Sequence, residues 1–451
     1  MKKSFIVGGL AFGDEGKGSV VDWLVREHDI KLVCRYNGAF QAAHNVVTPG
    51  GLHHTFSQYG SGTLVSDEVK TVIFSPVIVN PMSFLEERDI LRSKGINTDD
   101  RVTVSSRCRI ATPFHAMLNR VFETCLGDDR HGSCGQGIGI VASEENDGNC
   151  MYVEDLSCER EAIAVKMRFV RGRVKDRLRM HRYGRVDCED YINEQIEKLK
   201  NMDVYAIVDQ YLEFYEEVEV MEGDDVSIIA DRSHVFEGAQ GVLLDEEHGF
   251  FPHVTKSNCT FENALMLLDV ARFDGEVIKV GVIRSYHTRH GNGPFPSESA
   301  RMTEHIADMH NGTGDWQGHF RIGRFDAVLA NYALDAVDGV DILVMTCVDR
   351  LCGTGINHVV VEYEGNTDEF MFRARTRVKS LVVNHNFDEE SHMTRNEFLS
   401  QCCPVVTHID EIDSVDDMPG LMAFADGIER LIDRKVDVIS VSPTCEGKIL
   451  L

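Results

Sequence analysis

The first hydrophobic run of the chain predicts a strand, a loop and a helix in direct succession. Residues 3–10, KSFIVGGL, form a short apolar run of the strand type. In GSVVDWLVREH, residues 18–28, the apolar side chains of Val20, Val21, Leu24 and Val25 recur at the spacing of one helix face. The glycine-rich and polar residues between the two segments therefore belong to a loop.

Similar apolar runs recur along the chain and predict the fold class. They are KLVCRY, KTVIFSPVIV, SHVFEGAQGVLL, EVIKVGVIRSY, DILVMTC and DVISVS, and several are followed by a helical pattern. Such alternation is typical of an α/β fold with a large, mostly parallel central sheet and helices on both faces. Ligands of such sheets collect beyond the carboxyl ends of the strands, so we expect the functional residues there.

One segment departs from this alternation. Residues 160–185 contain 10 Lys or Arg against 2 acidic residues, and they precede DYINEQIEKLKN, which has a helical pattern. We interpret residues from about 155 to 225 as a helical excursion rather than a separate domain. The prediction is therefore one catalytic domain that spans residues 1–451.

The composition argues against several classes of protein. The chain has 451 residues and a formal net charge of −27 at pH 7, which argues against a general nucleic-acid binder. No stretch approaches a membrane span, and the apolar run near the N-terminus is too brief for a signal peptide. The 13 cysteines include no C-x-x-C pair, so we expect free thiols in a reducing cytoplasm.

The loop after the first strand, GLAFGDEGKG, is close to a phosphate-binding loop but breaks its rule. Measured against G-x-x-x-x-G-K-[ST], Ala11 stands where the first glycine belongs and Gly18 replaces the hydroxyl residue. Lys17 is retained, and the loop also carries a carboxylate, Asp14. Taken alone, the glycines of this loop fit an ordinary tight turn equally well. A phosphate site and a simple turn both stay open at this point.

Six further segments give the loop a specific context. They are CRYNGAFQAAHNVV (34–47), DRHGSCGQGIGI (129–140), VFEGAQGVLLDEEHGFFPHVTKSNCT (235–260), SYHTRHGNGPFPSE (285–298), FRIGRFDAVLANYAL (320–334) and ILVMTCVDRL (342–351). Their order and spacing resemble the adenylosuccinate synthetase family over most of the chain. The resemblance implies a P-loop-NTPase-like fold built on a large parallel sheet, and a homodimer. It also implies a cytoplasmic carbon–nitrogen ligase of purine nucleotide biosynthesis, with Mg²⁺ as its cofactor.

The resemblance implies a two-step reaction. The γ-phosphoryl group of GTP is transferred to the 6-oxygen of inosine monophosphate (IMP), and the amine of L-aspartate then displaces that phosphate to give adenylosuccinate. Asp14 matches the base that removes the N1 proton and ligates Mg²⁺, and His44 matches the acid on the 6-oxygen. Lys17 and the backbone of residues 16–18 would hold the phosphate, and the Gln240 amide would donate to the developing anion. A turn-forming Asp14 and a structural His44 are the simpler alternatives.

The purine monophosphate site is implied by positions that partly depart from the family. These positions are Gln41, Ser133, Cys134, Gln240 and Thr255. Gln41 is one methylene longer than the family's asparagine, and Cys134 is a weaker donor than the threonine that it replaces. The backbone carbonyl of Ala43 matches a magnesium ligand. Tyr152 stands where the family has an arginine that crosses the dimer interface, so we expect that bridge to be absent.

The nucleotide donor site is implied by the loop and by two segments near the end of the chain. Its predicted residues are Gly13, Glu15, Gly16, Gly18, Cys347, Asp349, Ser440 and Ser442. The family reads guanine with T-K-x-D, and Asp349 keeps the acid that accepts from N1–H and N2–H. Cys347 replaces the lysine, which predicts weaker discrimination against ATP. A helix-capping role for Asp349 is the alternative.

The amino-acid site departs most from the family. Relatives use several arginines to bind the two carboxylates of aspartate. In NGTGDWQGHFRIGRFD, residues 311–326, Gly318 and Phe320 stand on arginine positions. The predicted replacements are Arg289, Arg321 and Arg324, each of which could instead be a solvated surface charge.

These departures leave three functions open. The first is the adenylosuccinate synthetase reaction on IMP. The second is a related ligase that acts on another 6-oxopurine nucleotide such as GMP or dGMP, or that uses another amino acid or ATP. Some viral relatives that use dGMP carry serine in place of the base, so retention of Asp14 weighs against this reading. The third is a silent nucleotide-binding regulator, which has no need of a base aimed at N1.

Overall fold

The computed structural model describes residues 1–127, 130–144, 150–184, 188–306, 314, 316–367, 374–383 and 389–451. Its strands in the first half of the chain are β1 (Lys3–Gly9), β2 (Leu32–Arg35), β3 (His44–Val47), β4 (His53–Phe56), β5 (Lys70–Ile73), β6 (Ile78–Val79), β7 (Val102–Ser105), β8 (Arg109–Ile110), β9 (Glu219–Met221) and β10 (His234–Glu237). Those that follow are β11 (Glu276–Arg284), β12 (His287–His290), β13 (Phe320–Gly323), β14 (Ile342–Thr346), β15 (His358–Thr367), β16 (Ala374–Val378), β17 (Cys403–His408), β18 (Val438–Ser440) and β19 (Lys448–Leu450).

The helices alternate with these strands over much of the chain. They are α1 (Lys17–Glu27), α2 (Pro81–Ser93), α3 (Pro113–Leu126), α4 (Ile138–Glu144), α5 (Arg160–Gly184), α6 (Glu189–Asn201), α7 (Val204–Glu217), α8 (Ser227–Ala230), α9 (Glu262–Val270), α10 (Ala300–His305), α11 (Ala327–Ala336), α12 (Glu389–Gln401) and α13 (Met418–Ile432). Within the described residues, none of these helices is both long and apolar enough to cross a bilayer.

A large sheet organises the molecule. Ten of the described strands form it, in the order β19-β18-β14-β11-β1-β10-β2-β5-β7-β9. Every neighbouring pair is parallel except β18 and β19, which are antiparallel at one edge. The seven apolar runs of the sequence supply β1, β2, β5, β10, β11, β14 and β18 of this sheet. The prediction of a large, mostly parallel central sheet is confirmed.

The first strand shows why these runs are continuously apolar. Phe5 and Val7 pack with Val20 and Leu24 of α1 on one face of the sheet. Ile6 points to the other face, where it joins the largest hydrophobic cluster. Because successive side chains of a strand face opposite sides, a strand covered on both sides needs apolar residues at every position.

The basic segment forms helices, as its pattern predicted. Helices α5, α6 and α7 share a hydrophobic cluster that contains Val174, Ile196 and Phe214. Basic side chains of α5 lie outside it, as in the pair between Arg160 and Asp209 at 2.5 Å. Of the segment's residues, 185–187 lie outside the described part. That residues 1–451 form one catalytic domain stays a prediction.

Candidate active site

A buried carboxylate shapes the loop between β1 and α1. Glu15 is inaccessible to solvent, and its Oε1 accepts hydrogen bonds from the backbone N–H groups of Ala11 at 3.1 Å and Gly13 at 2.9 Å. Its Oε2 lies 2.6 Å from Nζ of Lys17. The sequence analysis placed Glu15 among the phosphate ligands, whereas its carboxylate is turned into the loop. Glu15 therefore fixes the loop backbone and holds Lys17, because it satisfies N–H groups that would otherwise be buried without partners.

Three residues of this loop have left-handed backbone angles, which bend the loop into its shape. Gly13, Asp14 and Gly16 have φ values of 86°, 62° and 84°. The two glycines adopt such angles without steric cost, and aspartate tolerates them better than most residues. Gly16 is the residue that precedes α1, so the N–H groups of the following residues point out of the helix start. Such an N-terminus is a favourable site for phosphate.

Asp14 projects from this loop as an ionised carboxylate. Burial alone would raise the pKa of Asp14, but the hydrogen bond from His290 and the charges of Arg284 and Lys17 outweigh it and lower the pKa. Nε2 of His290 lies 3.3 Å from Oδ2 of Asp14. Asp14 is thus deprotonated at neutral pH, which is the state that a general base requires.

His44 is held by a carboxylate from the central sheet. Its Nδ1 lies 2.6 Å from Oε1 of Glu237, at the end of β10. Glu237 also accepts hydrogen bonds from the hydroxyl of Ser61 and, at 3.0 Å, from its backbone N–H. Burial would raise the pKa of Glu237, but His44, Arg35 and Ser61 outweigh it and lower the pKa to about 2. Burial lowers the pKa of His44 although Glu237 opposes that effect, and the contact of Nδ1 with Glu237 leaves Nε2 to face a ligand.

Gln240 completes the arrangement around the loop. It has a left-handed backbone with φ of 55°, an uncommon conformation for a residue with a side chain. Among the described residues its buried Oε1 has no hydrogen-bond partner. A Cβ atom built on Gly13 would lie 3.9 Å from Cα of Gln240, and one built on Gly18 would lie 2.8 Å from Cβ of His44. Gln240 and His44 therefore flank the loop that carries Asp14.

The residues predicted for the purine phosphate lie on neighbouring segments. Ser133 exchanges hydrogen bonds with Asn119 at 3.1 and 3.2 Å. Cys134 packs against the small apolar cluster that includes Phe40, next to Gln41, and burial raises the pKa of its thiol. Within the described residues, Oε1 of Gln41 is buried without a hydrogen-bond partner. Such an orphaned group is costly unless a ligand supplies its partner.

The segment of Thr255 closes the same region. The backbone N–H of Thr255 donates to the carbonyl of Leu244 at 2.7 Å. Two residues earlier, Nδ1 of His253 lies 3.2 Å from the carbonyl of His131, in the loop that carries Ser133. The structure therefore brings Thr255 and the Ser133 loop to the same side of the sheet.

The predicted base-reading turn is joined directly to the phosphate loop. The hydroxyl of Thr346, the last residue of β14, donates to the backbone carbonyl of Glu15 at 2.6 Å. Cys347 follows with a left-handed φ of 59° and precedes a 3₁₀ turn of Val348–Arg350. Asp349 lies inside that turn, and burial raises its pKa. Cys347, not Asp349, occupies the N-cap position of this turn, and it makes no side-chain capping hydrogen bond.

The serines of the C-terminal segment lie beside this turn. Strand β18 is parallel to β14, with Met345 opposite Ile439, which places Ser440 next to Thr346. The buried hydroxyl of Ser440 donates to the carbonyl of Ser442 at 3.1 Å. Both serines therefore lie at the edge of the predicted base site.

Arg289 lies beneath the phosphate loop rather than on a surface. Its side chain is only 1 % exposed, and its guanidinium is stacked 4.3 Å from the ring centre of Phe12. Nη1 donates to the carbonyl of Pro294 at 2.6 Å. Burial, with the charge of Arg321, lowers its pKa well below the usual value. The surface-charge alternative is therefore wrong for Arg289, whose contacts are with the protein itself.

The other two arginines differ in what they face. Arg321 pairs with Glu298 at 2.9 Å and donates to the carbonyl of Gly293 at 3.0 Å, close to the loop that carries His290. The side chain of Arg324 makes no hydrogen bond or ion pair with a described residue. Its charge instead acts on His358, whose pKa is lowered by burial, by His408 and by Arg324. Much of the remaining amino-acid loop, residues 311–313 and 315, lies outside the described part.

Comparison with known proteins identifies this arrangement. A family model described as "Adenylosuccinate synthetase" matches residues 6–449. The chain belongs to the adenylosuccinate synthetase family. The adenylosuccinate synthetase of Prochlorococcus marinus strain MIT 9313 is 32 % identical over 368 residues, which cover 80 % of this chain and 79 % of the relative. That of Herminiimonas arsenicoxydans is 28 % identical over 463 residues, which cover 100 % of this chain and 99 % of the relative.

Solved structures share the fold of this synthetase family member. Fully ligated adenylosuccinate synthetase from Plasmodium falciparum superposes with a TM-score of 0.77 at 18 % identity, and the match covers 99 % of each chain. Succinoaminodeoxyadenylate synthetase of cyanophage S-2L, bound to dGMP and to dATP as an energy donor, has a TM-score of 0.57 at 15 % identity, covering 100 % of this chain and 95 % of that one. The chain is thus a carbon–nitrogen bond-forming ligase of purine biosynthesis.

Two residues of this synthetase site were missed in the sequence analysis. Glu237 is the acid of F-E-G-A-Q-G, and its signal was an acidic residue at the end of an otherwise apolar strand. His290 follows Arg289 in HTRHG, and nothing in the local pattern indicates that β12 turns it toward Asp14. Both act on a predicted residue through tertiary contacts that join distant parts of the chain.

The possible metal ligands at the phosphate loop fit a magnesium ion that is also bound by phosphate oxygens and water, rather than a metal ion held by protein side chains alone. Within the described residues, no group of three or more His, Cys, Asp and Glu side chains forms a metal site. Mg²⁺ is usually held by one or two carboxylates together with phosphate oxygens and water. The ionised carboxylate of Asp14 on the phosphate loop suits that role, whereas both oxygens of Glu15 are already occupied.

Proposed function

We propose that the chain condenses IMP with L-aspartate to adenylosuccinate at the expense of a nucleoside triphosphate. The γ-phosphoryl group is transferred to the 6-oxygen of IMP, and the amine of aspartate then forms the new carbon–nitrogen bond while phosphate leaves. The observation that carries the proposal is the convergence of Asp14, His44 and Gln240 on one phosphate loop, in a member of the synthetase family.

Each of these residues has a chemical task in the proposed reaction. The ionised Asp14 removes the N1 proton of the purine, which makes the 6-oxygen nucleophilic. His44, kept protonatable by Glu237, stabilises the charge that develops on that oxygen. Lys17 and the N–H groups at the start of α1 hold the transferred phosphoryl group. The side-chain NH₂ group of Gln240 donates to the developing anion, and its buried Oε1, which has no partner among the described residues, accepts from the bound ligand.

Magnesium is part of this proposal. The Asp14 carboxylate and the backbone carbonyl of Ala43 would hold the ion. When bound, Mg²⁺ neutralises charge on the phosphate oxygens and orients them for transfer. We therefore expect chelation of divalent ions to abolish turnover.

We propose GTP as the donor, with ATP as the alternative. Guanine presents two donors, N1–H and N2–H, to a carboxylate, whereas adenine presents no such pair. Asp349 is a partly buried carboxylate on a turn tied to the phosphate loop through Thr346. Adenine offers this carboxylate no donor pair and would leave it with its contact to Arg350 at 3.5 Å, which disfavours ATP.

The amino-acid site and the assembly complete the proposal. Of the three arginines, we assign Arg321 to the substrate carboxylate, because an incoming carboxylate could displace its partner Glu298. Arg289 would support the site from below, and Arg324 is the weakest of the three because it faces His358. We propose a homodimer in the cytoplasm, in line with the free state of all 13 cysteines.

A substrate matrix tests the proposal. IMP, GMP and dGMP are each incubated with GTP or ATP, with aspartate and Mg²⁺, and the products are identified by mass spectrometry. We expect adenylosuccinate from IMP, with GTP preferred over ATP. Succinylated product from GMP or dGMP in place of IMP would favour the related ligase, and no product from any combination would favour a nucleotide-binding regulator.

Asp14→Asn tests the central residue. We expect a loss of about 10²- to 10⁴-fold in kcat, the range typical of general base catalysis, with an unchanged melting temperature. Asp29→Asn is the matched control, since Asp29 is an exposed aspartate that also has a positive φ, of 49°. A near-normal kcat in Asp14→Asn would remove Asp14 from the mechanism.

A further inference from the structure

Lys448 is a half-buried lysine beside the base-reading turn. It opens β19, the antiparallel edge strand, where it lies opposite Ser440 of β18. Strand β18 in turn neighbours β14, whose last residue leads into the turn of Cys347 and Asp349. Two strand pairings therefore bring Lys448 to the same edge of the sheet as Asp349, although the two residues are about a hundred positions apart.

The ammonium group of Lys448 has hydrogen-bond donors without partners among the described residues. Nζ donates to the carbonyl of Thr444 at 2.9 Å, and among the described residues it forms no ion pair. An ammonium group has three donors, so two are left for a ligand. The charged or titratable groups that act on it are Asp22 of α1, Cys445, Cys347 and Asp349. Burial lowers the pKa of Lys448 to about 8, against the opposing effect of these groups.

The edge of guanine next to its N1–H carries an acceptor, the 6-oxygen. Adenine carries an amino group at that position, and that group is a donor. A carboxylate beside an ammonium therefore matches guanine along this edge and meets adenine with the wrong polarity at both points.

We propose that Lys448 is a specificity-determining residue of the donor site, donating to the 6-oxygen of guanine while Asp349 accepts from N1–H and N2–H. The inference rests on the proposed use of a guanine nucleotide. It gives this chain a base-reading cation on β19, in place of the one that is missing at Cys347. Lys448 is thus an element of substrate selection and takes no part in the chemistry of transfer.

The simpler role for Lys448 is to anchor the C-terminal segment through Thr444. Lys435 offers a matched control for that role, because its Nζ donates to the carbonyl of Leu451 at 3.0 Å and is half exposed. Loss of either lysine removes one anchor of the segment, but Lys448 is the one on whose charge Cys347 and Asp349 of the base-reading turn act.

The test measures kcat/KM for GTP and for ATP in the wild type, Lys448→Met, Lys448→Arg and Lys435→Met, at saturating IMP, aspartate and Mg²⁺. We expect Lys448→Met to lower the GTP to ATP ratio about tenfold, the size of one good base contact. Lys448→Arg keeps most of the ratio because arginine also donates to the guanine 6-oxygen. Lys435→Met leaves the ratio unchanged. An unchanged ratio in Lys448→Met, or an equal loss with both nucleotides, overturns the inference.

A pH profile gives a second readout that an anchoring role would not move. In the wild type, kcat/KM for GTP should fall above about pH 8 as Lys448 loses its proton, whereas Lys448→Arg keeps its charge and lacks that decline. Guanine titrates equally in both proteins, so its own effect cancels. If Lys448→Met does not fold, this comparison decides alone, and identical profiles overturn the inference.

Equilibrium binding separates this inference from the proposed function. Fluorescent GDP and ADP analogues report the guanine preference without turnover. A protein that prefers the GDP analogue through Lys448 but forms no adenylosuccinate would overturn the proposed reaction and keep the inference. If the protein forms adenylosuccinate and Lys448→Met leaves its guanine preference unchanged, the proposed reaction is kept and the inference is overturned.

Discussion

A single carboxylate, Glu237, determines what His44 can do. With an ordinary pKa of about 6.5, histidine is only partly protonated at neutral pH, and burial favours the neutral form further. Glu237 opposes that effect from 2.6 Å and stays ionised, because its pKa is lowered to about 2. Burial nevertheless lowers the pKa of His44 overall, so the resting imidazole is mainly neutral, and in the proposed reaction Glu237 favours its protonation as negative charge develops on the 6-oxygen.

Replacement of Glu237 by glutamine tests this role. Glu237→Gln keeps the shape and one acceptor but removes the charge, so we expect kcat to fall on the order of 10²-fold with little change in KM for IMP. Steady-state kinetics with adenylosuccinate formation as the readout measures it. Glu87→Gln is the control, because Glu87 also lies near a buried histidine, His54, and accepts from backbone N–H groups. Equal losses in both variants would reduce Glu237 to a structural role.

The positions of candidate site residues could be predicted from the sequence where they lie in a specific motif, whereas their roles stay predictions. Asp14, His44 and Gln240 lie in specific motifs, and the structure places them around one loop. The inward direction of the Glu15 carboxylate was not predicted, because it depends on which N–H groups the folded loop leaves unpaired. The contact of His290 with Asp14 depends on the pairing of β12 with β13, and no local pattern contains that information.

Helix α1 shows how an element is placed by the absence of a side chain. Gly18 is the second residue of the helix, where alanine would normally be preferred to glycine. A Cβ atom on Gly18, however, would lie 2.8 Å from Cβ of His44 and 3.0 Å from Oγ of Ser61. The helix start can therefore approach His44 only because residue 18 is glycine.

Gly18→Ala should displace His44 and lower kcat by at least about tenfold, since small errors in the position of a catalytic group are costly. Gly172→Ala in α5 is the matched control, because nothing lies within 4 Å of its Cβ position. We expect that control to keep full activity and to gain about 0.5–1 kcal/mol in the free energy of unfolding. Thermal melts and kcat are measured for both variants, and full activity in Gly18→Ala would refute the packing argument.

Helix α11 begins at a buried aspartate whose titration should affect stability. The Asp326 side chain accepts from the N–H groups of Val328 and Leu329, and Tyr363 donates to its other oxygen at 2.8 Å. Burial raises the pKa of Asp326 to about 7, from an ordinary value of 3.8. Because the folded pKa is the higher one, the stabilisation is complete below the unfolded pKa and is lost as the pH rises toward 7.

Asp326→Asn should remove this pH dependence. We expect its free energy of unfolding to change less than that of the wild type between about pH 5 and about pH 8, because asparagine does not titrate. Denaturant unfolding at the two pH values gives the comparison. Asp203→Asn serves as control, since Asp203 caps α7 in the same way at an exposed position. Equal changes in the free energy of unfolding of Asp326→Asn and the wild type between the two pH values would contradict the prediction.

Elements buried on both faces were the predictable part of the fold. The continuous apolar runs became strands of the central sheet because each side of that sheet is covered. The antiparallel sheet of β15, β16 and β17 was missed, since its strands mix polar and apolar residues and pair across long separations. The edge strand β19 is short, and its pairing with β18 depends on the intervening turn.

On the scale of the whole molecule, the net charge of −27 opposes the binding of every substrate. The proposed substrates, GTP, IMP and aspartate, are all anions, and each must reach local cations through a repulsive field. That field extends about 30 Å at 0.01 M salt and only about 8 Å at 0.15 M.

We therefore expect kcat/KM for GTP to rise as the KCl concentration increases from about 0.01 M to about 0.15 M. The kcat/KM for aspartate should rise less, because aspartate carries less charge. Assays at constant free Mg²⁺ measure the trend, and sucrose at equal osmolarity controls for effects other than screening. A steady fall would mean that attraction by the local cations outweighs the overall charge.

The pairing of Lys17 with the buried Glu15 means that the phosphate loop has little surplus charge of its own. Inorganic phosphate carries no nucleobase that could contact the Asp349 turn. Its attraction to the loop is weak, because the charge of Lys17 is already balanced by Glu15. A nucleotide reaches both places at once, and the hydrogen bond from Thr346 to Glu15 makes them one unit. We therefore expect inorganic phosphate, a product of the proposed reaction, to compete weakly with a nucleoside triphosphate for this site.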